Sequence, residues 1–121
     1  MSKAFFAVVV GLMVAMIIAI LLSPGENANG KWDAFAKCIT DRGATMYGSP
    51  SCAHCLNEKR AFGDSFRYIQ YVDCSVDPEK CIAAKIDGYP TWIFGDGRRF
   101  EGEQGLKKLS EESGCPLIEA K

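Results

Sequence analysis

Cys52-Ala53-His54-Cys55 stands between a strand-like run, Ala44 to Tyr47, and a helix-like run, Leu56 to Phe62. Two thiols separated by two residues on the first turn of a helix can close a small ring. The first of them meets unsatisfied backbone N–H groups and the positive end of the helix dipole. Both favour thiolate over thiol, and the thiolate is the nucleophile of disulfide exchange. His54, the one histidine of the chain, can add positive charge or a donor beside the sulfur, which stabilises the reduced pair and makes its disulfide a stronger oxidant. The stretch therefore reads as a redox dithiol, with Cys52 the attacked sulfur and Cys55 the shielded leaving and resolving thiol. Zinc sites share the spacing, but zinc takes four ligands and no second close pair follows. Copper often recruits methionine, and Met46 is the one methionine beyond the N-terminal apolar segment. A non-catalytic scaffold would make the Cys52–Cys55 bridge inert.

Gly88-Tyr89-Pro90-Thr91-Trp92 follows a helical stretch and precedes the apolar pair Ile93 and Phe94. Proline cannot donate to a sheet ladder, so a proline opening a strand is an edge feature or a cis peptide.

Together with Phe35-Ala36-Lys37-Cys38, Met46-Tyr47-Gly48, Phe62-Gly63, Tyr71-Val72-Asp73-Cys74 and Cys81, these motifs resemble the thioredoxin-like domain fused to, or encoded beside, bacterial vitamin K epoxide reductase homologues. The resemblance runs from Trp32 onward and includes the extra cysteine pair. It implies a thioredoxin-like α/β fold lacking the first strand, with the Tyr89-Pro90 bond cis and Tyr89, Pro90 and Thr91 presenting backbone to a substrate peptide beside the dithiol. It implies catalysis by Cys52 and Cys55, tuned by His54, with the redox-active disulfide itself as the working group and no separate cofactor or metal. Secreted proteins are then the substrates, and a quinone-linked membrane protein similar to vitamin K epoxide reductase takes the electrons. A reductase or isomerase arm is the alternative direction of flow. Ser51 stands where the family usually has tryptophan, and Ala53 where it has proline. Thioredoxin proper carries a buried acid where this chain has Met46, so no carboxylate in Ala44 to Tyr47 serves Cys55 as a base.

Six cysteines in so small a domain, with none in the apolar segment, indicate an oxidising compartment. Six allow fifteen pairings, and sequence alone does not choose among them. The family resemblance together with local geometry points to structural bridges Cys74–Cys81 and Cys38–Cys115, alongside Cys52–Cys55. The competing readings are a redox relay through Cys74 and Cys81 and two buried free thiols at Cys38 and Cys115.

Ala4 to Leu22 is continuously apolar, and nineteen residues at about 1.5 Å each reach about 28 Å, close to the hydrocarbon thickness of a bilayer. Residues 1–23 thus read as a single uncleaved membrane anchor. A signal peptide, whose apolar region runs about 7 to 15 residues before a small-x-small site, is the competing reading. Residues 24–30, with Gly and Asn, form a linker, and residues 31–121 form one domain, too short for two cores. The cysteines place that domain on the extracytoplasmic side of the cell membrane, periplasmic or extracellular. A net charge of −1 with both signs interspersed gives no electrostatic case for nucleic acid.

Within the domain, Trp32, Phe35, Ala36 and Ile39 recur at helical spacing over Lys31 to Asp41. Strands are expected at Ala44 to Tyr47 and Tyr68 to Asp73, and a helix from Cys55 to Phe62 closed by Gly63. A short helix begins near Asp77-Pro78. A hairpin joins Thr91 to Phe94 with Arg98 to Glu101 through Gly95-Asp96-Gly97, and a final helix covers Leu106 to Ser113. Trp32 and Trp92 are expected to pack rather than to bind substrate.

Overall fold

The computed structural model describes residues 2–22 and 30–120. Helix α1, Lys3–Leu22, is apolar on every face and buries none of its side chains. Its 20 residues give a length of about 30 Å, which is the length and composition of a membrane anchor or of a signal sequence. Of the expected linker, only Gly30 lies within the described residues.

In the remainder, α2 spans Asp33–Asp41 and turns Phe35, Ala36 and Ile39 inward. The helix starts two residues later than its apolar period suggests, because Lys31 and Trp32 form a turn in which the Trp32 N–H donates to Ser65 Oγ at 2.9 Å. Strand β1, Thr45–Gly48, alternates half-buried and buried positions, as a strand with one core face must. Helix α3, Ala53–Phe62, ends at Gly63, whose φ of 57° lies where only glycine is unstrained.

Beyond Gly63 the structure departs from the expected strand. Residues Gly63–Tyr68 form a 3₁₀ turn, and β2 runs only from Gln70 to Asp73. The aromatic residues that suggest strand propensity at Tyr68 are recruited by packing: Phe66 sets its ring edge-on to both Phe62 and Tyr71. Tertiary contact overrides propensity here. Strand β2 lies parallel to β1, with Met46 opposite Tyr71 and Gly48 opposite Asp73, and parallel neighbours need a crossover such as α3. Helix α4, Pro78–Ala83, begins on its proline, which lacks only an N–H that no helix would use there. Strands β3, Thr91–Ile93, and β4, Arg99–Glu101, form the hairpin, each a residue shorter than expected. Helix α5, Gly105–Ser113, stops at Gly114 in the left-handed conformation.

The sheet order is β2-β1-β3-β4, with β3 antiparallel to both β1 and β4. A single cluster of Phe35, Ile39, Met46, Cys55, Phe62, Trp92 and Leu109, among others, forms the core. Met46, where an acid is usual, is core filling with no solvent exposure. Two disulfides brace this α/β body. Cys38 on α2 is joined to Cys115 beyond α5 across 77 residues, and Cys74 after β2 to Cys81 on α4 across 7. Chain entropy assigns the first about 4.5 kcal/mol and the second about 2.4 kcal/mol. Cys74 and Cys81 are both buried, at 7% and 5% exposure.

Candidate active site

Strand β1 ends at Gly48, the chain turns through Ser49, Pro50 and Ser51, and Cys52 becomes the N-cap of α3 with extended backbone. Its sulfur accepts the Cys55 N–H at 3.2 Å, taking the place a serine or aspartate oxygen usually fills. The sulfur thus sits at the open first turn of the helix, where backbone N–H groups point outward. Cys52 is partly exposed and Cys55 is buried, both as thiols. One turn of helix therefore separates an accessible sulfur from an enclosed one. Burial, and next the hydrogen bond with Cys52, push the Cys55 thiol up to about 11, while a Ser49 backbone hydrogen bond and Lys59 pull it down.

Gly48 makes the close packing possible. A Cβ built there would stand 2.9 Å from Cys55 Sγ and 3.2 Å from Tyr71 Cε2, so any larger residue would displace the thiol. Tyr71 lies on β2 with its hydroxyl enclosed and without a hydrogen-bond partner among the described residues. Burial pushes that phenol up to about 12.

The second motif reaches the same end of the sheet. Thr91 pairs with Tyr47 across β3 and β1, so Pro90 comes level with Gly48, the residue from which the chain leads to Cys52. The Tyr89-Pro90 bond is cis. Pro90 is buried and Tyr89 is 44% exposed. Thr91 Oγ1 donates to the Gly88 carbonyl at 2.7 Å, and the Pro90 carbonyl accepts Gly102 N–H at 2.7 Å.

His54 is engaged by a carboxylate from a distant loop. Its Nδ1 lies 2.9 Å from Glu103 Oε2, an oxygen that also accepts Asn57 Nδ2 at 3.2 Å. These two bonds, with His54 the larger, hold the Glu103 carboxyl below the usual carboxylate range. His54 and residues Gly102 to Gly105 line an open cleft. Among the described residues, no three His, Cys, Asp or Glu side chains come together as a metal-holding group.

Sequence reasoning missed Glu103, Lys59, Tyr71 and Glu58. Glu58 is 1% exposed and both its oxygens are used, one by the Trp92 indole N–H at 2.6 Å and one by the Gly105 backbone N–H at 2.7 Å. A signal existed for it: Cys55, Glu58 and Phe62 sit three and four residues apart on one buried face of α3, and a charge in that row must be satisfied inside the protein. No sequence signal pairs His54 with Glu103, 49 residues downstream.

No protein-family model matches the chain. It is similar to the thiol-disulfide oxidoreductase LTO1 of Arabidopsis thaliana, with 38% identity over 96 residues that take in 72% of this chain and 25% of that protein. The chain thus spans about a quarter of the length of the curated relative it matches.

Proposed function

We propose that this chain is a thiol-disulfide oxidoreductase of thioredoxin-like fold, membrane-anchored through α1, with residues 31–121 on the extracytoplasmic side. The observation that carries the reading is the asymmetry of the dithiol: an accessible Cys52 capping α3 and a fully enclosed Cys55 one turn in. The similarity to a named thiol-disulfide oxidoreductase supports it. The β1-α3-β2 crossover followed by the β3–β4 hairpin supports the thioredoxin-like assignment. Two disulfides in the domain support an oxidising compartment. The direction we infer is oxidation. A cysteine thiolate of a secreted protein attacks Cys52 Sγ, a mixed disulfide forms, and Cys55 leaves carrying the electron pair. A second substrate thiolate then attacks the substrate sulfur of the mixed disulfide and releases Cys52. Substrate leaves as a disulfide, and two electrons remain on the Cys52, Cys55 pair. The motif resemblance assigns those electrons to a quinone-linked membrane protein of the vitamin K epoxide reductase type.

Helix-end and N–H stabilisation of the Cys52 thiolate favours the reduced pair. Equilibration with glutathione buffers is therefore expected to give a reduction potential above the thioredoxin value of about −270 mV. A value at or below that of thioredoxin reverses the proposed direction and favours the reductase arm.

A further inference from the structure

An enclosed sulfur that leaves as a thiolate must be stabilised by groups inside the protein, and Met46 provides none from beneath. A cation stands nearby. Lys59 lies four residues after Cys55, on the same face of α3. Its Nζ sits 3.9 Å from the centroid of the Tyr71 ring and 5.6 Å from that of Phe66. Such a position over an aromatic face restrains an ammonium that would otherwise sample solvent. The same Tyr71 ring edge and the Cys55 sulfur both press on Gly48, so thiol, ring and ammonium share one compartment between α3 and the β1–β2 pair. Among the described residues Lys59 joins no ion pair within 4 Å; Asp73, the acid next along that face of β2, has one carboxylate oxygen bonded by Ser75 and feels Lys59 only as a lesser, Coulombic influence.

We propose that Lys59, held on the Tyr71 ring, is a positioning residue whose charge stabilises the Cys55 thiolate released when the Cys52–Cys55 disulfide is attacked. The inference rests on the exchange reaction proposed above. In the step concerned the attacking sulfur bonds to Cys52 Sγ and the bond from Cys52 Sγ to Cys55 Sγ breaks. Its electron pair stays on Cys55, and no proton is transferred. The interaction is Coulombic through a poorly solvated compartment and needs no direct contact. The downward pull of Lys59 on the Cys55 thiol has the same sense.

The test uses the oxidised full-length protein in detergent micelles, opened by excess glutathione at fixed pH, with quenching and alkylation to follow the rate. Lys59→Met is expected to slow this step by about threefold, since a poorer leaving thiol departs more slowly. Lys59→Arg, which keeps a cation over the ring, should stay within about twofold of the parent. Alkylation of Cys52 in the reduced protein should be unchanged in both variants. A parent-like rate in Lys59→Met overturns the proposal. So does a loss that Arg fails to restore, or one matched by slower Cys52 alkylation, since either marks a merely structural role. A parent protein whose disulfide glutathione does not open overturns the exchange reading together with this one, whereas an active parent beside an indifferent Lys59→Met overturns this one alone.

Discussion

With Cys55 enclosed and its thiol pushed up to about 11 by burial, the folded reduced protein keeps a proton that the unfolded chain gives up near pH 9. A group whose pKa is raised on folding contributes stability that is fully present below the unfolded value and fades as pH rises through the folded one. Reduced protein should therefore lose stability between about pH 9 and pH 11. The Tyr71 phenol, pushed up to about 12, extends the loss at the alkaline end. Oxidation removes both active-site thiols but leaves Tyr71, so urea midpoints measured across this range in both redox states separate the dithiol from the phenol. The reduced form should fall more steeply with pH; parallel curves would contradict the burial assigned to Cys55. Residue identities at this site were legible where chemistry is local. The CxxC spacing, read with the Gly88 to Trp92 motif, singles out Cys52 and Cys55, but the carboxylate that engages His54 comes from a loop 49 residues away, and no local period encodes that distance.

Helix α3 carries the dithiol, and Glu58 ties its buried face to two other elements at once. The Trp92 indole on β3 and the first N–H of α5 both donate to this carboxylate. Replacing it with alanine strands the buried Trp92 donor and the half-buried Gly105 donor, each worth about 1–3 kcal/mol when left unmade. Glu58→Ala is thus expected to destabilise the protein by about 2–5 kcal/mol in urea titration; a loss below about 1 kcal/mol would show that water or rearrangement satisfies both donors. The elements themselves were largely readable. Apolar spacing in Phe35, Ala36 and Ile39 sets α2, and Gly63 and Gly114 mark the ends of α3 and α5 at positive φ. The 3₁₀ turn was not readable, because Ser65 and Tyr68 commit to it through hydrogen bonds with Trp32 and Thr40, 33 and 28 residues away in the chain.

At the scale of the whole molecule, two disulfides and a hydrophobic core fix a small α/β body around a dithiol of one partly exposed and one buried sulfur. The Cys38–Cys115 bridge closes nearly the full length of that body, which a domain of this size needs because its core alone contributes little. The sequence pointed to α1 as apolar and long enough to span a bilayer, and the helix observed fits that reading or a signal sequence equally. The central claim is that exposure divides the labour of the two sulfurs, Cys52 taking substrate and Cys55 resolving it. It is tested most directly by replacing each cysteine in turn in the full chain and looking for covalent adducts in cells. Cys55→Ala removes the thiol that returns the mixed disulfide to starting material, so adducts with secreted proteins should accumulate on Cys52 and vanish on reduction, while Cys52→Ala should trap few. Equal trapping by both variants, or none by either in a folded protein, would contradict the account.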